Sequence, residues 1–323
     1  MNDLSDWIAN ATSKGAVPVV TGHNGDMDTI GSAIALASSN PKMIACGRHM
    51  GRLATRLCTE LNAPFRKLSN DANWPEKIGG IIIVDAAGPS QIGVELPQGV
   101  PICIIDHHAT CDWEFGDGDL EVRTDARSTT QIVHSYLAKY SPNTLTDEVR
   151  KLLLAGLITD TARFRHADGG ALKSGYELMD GANFEYQSFI EELQNEQTSP
   201  SERGAIIKAL ARSQSTDAGK WNLVHTSAGT LEGRVATILL QTGAEVSLVS
   251  RFRDGETRLT ARAPRSSTLE GIHLGEMMKE LSSKIGGEGG GHDGAAGWTG
   301  KTDKIAAESG FINILANTRR VNV

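Results

Sequence analysis

GGIIIVDAAG (residues 79–88) is the stretch on which the fold turns. Three isoleucines and a valine run without polar interruption, glycines bound them, and an aspartate ends them. A short continuous apolar run of this kind reads as a strand buried on both faces, as in a parallel sheet. An acid at the end of such a strand is costly unless it is paired or bound to a cation. PICIIDHH (101–108) repeats the pattern, an apolar strand followed by an acid and two histidines. VPVVT (17–21) and MIAC (43–46) are shorter runs of the same type. Helical spacing lies between and after them, in TIGSAIALASS (29–39), GRLATRLCTEL (51–61), STTQIVHSYLAKY (128–140) and TDEVRKLLLAGLITD (146–160). The alternation predicts an α/β fold, a parallel sheet with helices on both faces. Ligands of such sheets bind beyond the carboxyl ends of the strands.

The pattern changes near residue 184, where a polar, helical stretch is interrupted by SPS. WNLVHT (221–226), EVSLVSRF (245–252) and TRLTAR (257–262) then read as strands, and LEGRVATILLQTG (231–243) and HLGEMMKELSSKIG (273–286) as helices. The expected organisation is a first domain over 1–185, a connector over 186–215 and a smaller α/β domain over 216–323.

Composition narrows the function. With 39 acids against 32 Lys and Arg the formal charge is −7, which disfavours a protein that coats long nucleic acid by charge. Aromatics make up 5%, few for stacking along single strands. No apolar run is long enough for a transmembrane helix, and MNDLSDWIANATSKG at the start lacks the apolar core of a secretory signal. The four cysteines lack C-x-x-C spacing and read as reduced thiols, so a cytoplasmic location away from membranes is expected.

Acids and histidines gather at the predicted sheet edge. HNGDMD supplies His23, Asp26 and Asp28; IIIVD supplies Asp85; IIDHH supplies Asp106, His107 and His108; LITDT supplies Asp160. Mixed imidazole and carboxylate donors suit Mn²⁺, Fe²⁺, Co²⁺ or Zn²⁺. Any one Asp reads as a helix cap and any one His as a surface residue. It is the whole set, from four segments of one predicted sheet, that points to metal.

These residues carry a resemblance. HNGDMDTIGSA (23–33), VDAAG (84–88), IIDHH (104–108) and LITDTARFRHA (157–167) resemble the motifs of the DHH phosphoesterases. RLTAR (258–262) and GGGHDGAAG (289–297) resemble the DHHA1 accessory domain that follows many of them. The resemblance implies two divalent ions, usually Mn²⁺. One would be held by His23, Asp26 and Asp85, the other by Asp28, Asp85, His107 and Asp160, with Asp85 shared. It implies that Asp106 orients His107 and that His108 faces the substrate phosphate and assists protonation. It assigns Arg262, Gly290, Gly291 and His292 to substrate binding, across a cleft from the metals. The glycines would let backbone N–H groups approach a phosphate. In relatives with H-x-x-P-D-x-D the histidine precedes the first aspartate by four residues; here His23 precedes Asp26 by three, without the proline. Arg127 reads either as a phosphate contact or as a solvent-facing residue before a helix cap, and His49 as a solvated loop residue.

The compact architecture resembles the NrnA-type oligoribonucleases and 3′-phosphoadenosine 5′-phosphate phosphatases. The implied substrate is a short oligonucleotide or phosphonucleoside, with no binding of long duplexes. Relatives are often homodimers, which makes a dimer an expectation. A RecJ-type single-strand exonuclease is the alternative, followed by an inorganic pyrophosphatase and a non-catalytic nucleotide sensor.

Overall fold

The computed structural model describes residues 1–69, 74–194 and 198–321. Two compact units divide at 196/197. The first begins with α1 (Asn2–Lys14), β1 (Val17–Thr21), α2 (Met27–Ala37), β2 (Met43–Gly47), α3 (Arg52–Glu60) and β3 (Arg66–Lys67). There follow β4 (Ile81–Val84), β5 (Ile102–Asp106), β6 (Leu120–Arg123), α4 (Thr129–Tyr140), α5 (Asp147–Asp160), α6 (Gly169–Met179) and α7 (Tyr186–Gln194). The strands form one parallel sheet in the order β3-β2-β1-β4-β5-β6.

Strand alternation splits the apolar side chains between two cores. Val19, Ile82, Val84, Cys103 and Ile105 pack with residues of all seven helices. Val20, Ile81, Ile83 and Ile104 pack on the other face. Helices were expected on both faces, and here the structure differs. The second face is covered by Trp74, Ile92, Leu96, Val100 and Trp113, which lie on the links between β3, β4, β5 and β6. The crossovers from β1 to β2 to β3 each carry a helix, α2 and α3, whereas those links carry no α-helix in their described residues.

The second unit holds α8 (Pro200–Leu210), β7 (Gln214–Ala218), β8 (Trp221–Ser227), α9 (Glu232–Leu240), β9 (Val246–Arg253), β10 (Glu256–Arg262), α10 (Arg265–Leu269), α11 (Leu274–Ile285), β11 (Glu288–His292), β12 (Ala295–Gly300) and α12 (Lys304–Asn317). The SPS interruption proves to be a helix start. Ser199 and Glu202 form a capping box and Pro200 opens α8. The sheet order is β11-β12-β10-β9-β8-β7; β8 and β9 pair parallel and the other neighbours antiparallel. One face packs on α11 and α12 through Leu259, Trp298, Met278 and Phe311. The other packs on α8 and α9 through Val249, Val235 and Ala209, a cluster with no residue from β10, β11 or β12. Among the described residues no helix is long and apolar enough to cross a membrane.

Candidate metal centre

The carboxyl ends of β1 and β4 are tied together by one hydroxyl. Thr29, in the first turn of α2, donates to the Val84 carbonyl (3.2 Å) and accepts from the Gly22 N–H (2.9 Å). Gly22 has no room for a side chain, since a Cβ there would lie 2.8 Å from the Asp85 carbonyl oxygen. Asp85 itself turns the chain out of β4 in the left-handed region, φ 58°, which aspartate tolerates better than most residues.

Asp26 caps α2. Its Oδ1 accepts from the N–H groups of Asp28 (3.0 Å) and Thr29 (3.1 Å), and its Oδ2 from the Asn24 amide (2.7 Å). Partial burial and then Asp85 raise its carboxyl above the usual range, against the pull of the two N–H groups. Asp28 is fully buried and sits against the start of α4. Its Oδ1 accepts from the Thr130 N–H (2.8 Å) and hydroxyl (2.7 Å), and its Oδ2 from the Thr129 N–H (2.6 Å). A carboxylate at a helix N-terminus is favourable. Even so, burial, then Asp85 and Asp160, hold its carboxyl well above the ordinary value.

Asp160 comes from the far end of α5. That helix packs closely on α2: a Cβ at Gly156 would lie 2.5 Å from Thr130 Cγ2 and 3.0 Å from the Met27 carbonyl oxygen. His107 is the meeting point. Its Nε2 lies 3.3 Å from Asp160 Oδ2, 3.5 Å from Asp85 Oδ1 and 3.8 Å from Asp28 Oδ2. Burial alone would lower the imidazole pKa, but Asp160, Asp85 and Asp28 outweigh it and push it up to about 11. Without metal, His107 is therefore the cation that holds the carboxylates together.

The structure departs from the expectation for Asp106. Its carboxylate bonds His108 Nδ1 at 2.6 Å, not His107. Residues two apart on an extended chain share a side, so Asp106 reaches His108 while His107 turns toward Asp28 and Asp160. The bond places a proton on His108 Nδ1 and leaves Nε2 for chemistry. The His108 side chain is 41% exposed, against 18% for His107, so it is the more open of the pair.

His23 does not join this gathering. It lies exposed after β1, and its backbone N–H (2.6 Å) and Nδ1 (2.7 Å) both meet the Gln91 carbonyl. Two overlapping groups have ligand atoms close enough to share an ion, Asp85–His107–His108 and Asp28–His107–Asp160. Neither contains His23 or Asp26. Arg127 pairs with Asp168 (3.0 Å), which caps α6. His49 is exposed, as expected, yet its ring lies near the HNGD loop, 3.0 Å from where a Gly25 Cβ would stand. Sequence reasoning missed Thr129 and Thr130, whose only signal is their place at a helix start behind Ser128.

The donor set fits a divalent cation. Three carboxylates surround one imidazole, and burial, then Asp85 and Asp160, make Asp28 easier to protonate than in water, a cost that a bound cation would offset. Mixed oxygen and imidazole donors suit a first-row divalent ion.

In the second unit the glycine run is a strand, not a phosphate-cradling loop. Gly290 pairs with Gly297, Gly291 with Ala296 and His292 with Ala295. Two of the glycines serve packing. A Cβ at Gly289 would meet the Met278 carbonyl of α11 at 2.3 Å, and Gly291, at φ 139°, would meet the Ala295 carbonyl at 2.5 Å. Arg262 ends β10; its Nε is buried without a partner, and a Gly233 Cβ would lie 3.7 Å from its Nη2. Arg262, Gly290 and His292 alternate onto one face, and Gly291 onto the other.

Comparison with known proteins agrees with this architecture. Residues 18–157 match the N-terminal domain of the DHH family and residues 223–315 match the DHHA1 domain. An uncharacterized protein of Methanocaldococcus jannaschii is 25% identical over 308 residues, which cover 91% of this chain and 90% of that one. The crystal structure of an exopolyphosphatase-related protein from Bacteroides fragilis superposes with a TM-score of 0.71 at 14% identity, covering 97% of this chain and 94% of the other; it shows the shared fold. The first unit thus carries the N-terminal domain of the DHH family, whose members are metal-dependent hydrolases, and the second a DHHA1 domain.

Proposed function

We propose that this DHH-family chain hydrolyses phosphoester bonds of short nucleotides, such as dinucleotides, very short RNAs or 3′-phosphoadenosine 5′-phosphate, with two divalent ions, most simply Mn²⁺. The observation that carries the reading is the convergence of Asp28, Asp85 and Asp160 within 3.3–3.8 Å of His107 Nε2. Asp28, Asp85, His107 and Asp160 would hold one ion; Asp26 and His23, with Asp85 shared, would hold the other. When bound, the ions supply Lewis acidity toward the phosphoryl oxygens and lower the pKa of the attacking water. Thr129 and Thr130 fix the Asp28 carboxylate, and its Oδ2, with one N–H donor, keeps a lone pair for a cation. Asp106 fixes the His108 ring so that Nε2 can exchange a proton with a substrate oxygen. The charge of −7 supports short substrates over long polyanions.

Protein stripped with EDTA and given Mn²⁺ should hydrolyse members of a panel of 3′-phosphoadenosine 5′-phosphate, dinucleotides, cyclic dinucleotides, longer strands and pyrophosphate. Rates should fall above about five nucleotides. Turnover of long strands at undiminished rate would favour the exonuclease reading, and turnover of pyrophosphate alone would retire nucleotides as the substrate.

A further inference from the structure

Asp160 is the carboxylate with the least to hold it. Its side chain is 24% exposed, against 0% for Asp28 and 3% for Asp85. Asp28 accepts three bonds from the start of α4, whereas among the described residues His107 is the only polar partner of Asp160. Asp160 is also the last residue of α5, and helix ends fray. Its place beside His107 therefore depends on how the chain beyond it is anchored.

That chain turns in an unusual way. Ala162, Arg163 and Phe164 lie in the left-handed region, at φ 48°, 61° and 63°. A helix commonly ends with one left-handed residue, usually glycine. Three in succession, none of them glycine, carry a steric cost at each Cβ. Such a backbone persists where its surroundings over-determine it. Here Thr161 is buried at the neck of the turn. Its hydroxyl donates to the Leu157 carbonyl (2.6 Å) and accepts from the Phe164 N–H (3.0 Å), and its carbonyl accepts from the His166 N–H (2.9 Å). The Arg163 N–H donates to the Ile158 carbonyl (2.7 Å). The Phe164 ring meets α6 and α7. A Cβ at Gly175 would lie 2.9 Å from its Cζ, and the Tyr186 ring stands 6.5 Å away between centroids. Glycine in mid-helix is unfavourable, so α6 forgoes a side chain at 175 to seat this ring.

We propose that Phe164 is a positioning residue of the metal centre: seated against Gly175, it holds the left-handed turn, and through the turn the end of α5, so that Asp160 stays at His107. The proposal rests on the metal reading above. Two readouts test it without turnover, hydrogen exchange of the EDTA-treated full chain and calorimetric titration of that chain with Mn²⁺. Phe164→Ala should speed exchange over 161–166 at least about tenfold and weaken Mn²⁺ binding about tenfold, while Phe164→Leu stays within about threefold in both. Gly175→Ala favours the helix itself but should unseat the ring and give the same losses. Ala162→Gly removes one left-handed cost and leaves the ring seated, so it should melt a few degrees higher and bind Mn²⁺ as wild type does. A Phe164→Ala chain that melts lower yet binds Mn²⁺ within about twofold of wild type would give Phe164 to stability alone and overturn the proposal. An Ala162→Gly chain that loses as much Mn²⁺ affinity as Phe164→Ala would overturn it too, by placing the hold in the strained backbone. If Phe164→Ala does not fold, Gly175→Ala decides in its place. The metal reading fails separately: a wild-type chain that takes up no Mn²⁺ retires it, and exchange alone then decides whether Phe164 holds the end of α5.

Discussion

Asp85→Asn should stabilise the metal-free protein and abolish its response to metal. Asn keeps the shape and tolerates the left-handed backbone at φ 58°, so the substitution removes charge and little else. Asp85 raises the carboxyl pKa of both Asp26 and Asp28, and it shares His107 Nε2 with Asp28 and Asp160. At an effective dielectric near 20, like charges about 5 Å apart repel by roughly 3 kcal/mol, and the single attraction to His107 at 3.5 Å offsets about one such pair. The surplus repulsion, after screening at the open side of the site, leaves about 1–3 kcal/mol. For a unit of this size 1 kcal/mol moves the melting temperature by roughly 2–4 °C. In EDTA the variant should therefore melt about 2–12 °C above wild type. Mn²⁺ at a hundred times its Kd should add about 2.7 kcal/mol to wild type, a rise of roughly 5–10 °C, and almost nothing to the variant. Differential scanning fluorimetry with and without Mn²⁺ reads both arms. A variant that melts lower in EDTA and still gains from Mn²⁺ would refute the reasoning.

Other consequences follow from single contacts. Asp106→Asn should lower kcat by about a hundredfold with little change in KM, because the His108 ring loses the acceptor that fixes its proton; an unchanged kcat in steady-state assays would count against a proton-transfer role. Thr130→Val deletes the hydroxyl that bonds Asp28 at 2.7 Å and should weaken Mn²⁺ binding at least tenfold in calorimetry with the melting temperature nearly kept. Buried His134 has its pKa lowered, first by burial and then by Arg150, against Glu177. The folded state thus holds fewer protons there than the unfolded chain, and stability is lost as pH falls below about 6.5, by as much as about 1.4 kcal/mol per pH unit. Urea midpoints of wild type and His134→Gln at pH 7.5 and 5.5 should diverge by that share; parallel midpoints would reject it.

The apolar runs were legible because burial on both faces leaves no other reading. VPVVT is β1 to the residue, and STTQIVHSYLAKY is α4 with its Ser128 cap. Besides helices such as α1 and α6, the elements that escaped notice include polar edge strands. Gln214–Ala218 pairs on one side only and shows no apolar alternation, and Leu120–Arg123 likewise ends its sheet. The glycine run escaped because strand propensity argues against it; α11, packed against its backbone, is what makes a strand of it. At the site, the residue types and their common sheet edge were readable. The pairing of Asp106 with His108 required the exact end of β5, since a shift of one residue exchanges the two histidines between sides. Thr129 and Thr130 reach Asp28 across about a hundred residues of chain, a contact no local pattern encodes.

Counting bound ions tests the metal assignment most directly. Equilibrium dialysis of the EDTA-stripped chain against Mn²⁺, read by elemental analysis, should give two ions per chain for wild type and at most one for Asp85→Asn. A wild-type chain that retains none, or an Asp85→Asn chain that retains two, would contradict a centre built on Asp85.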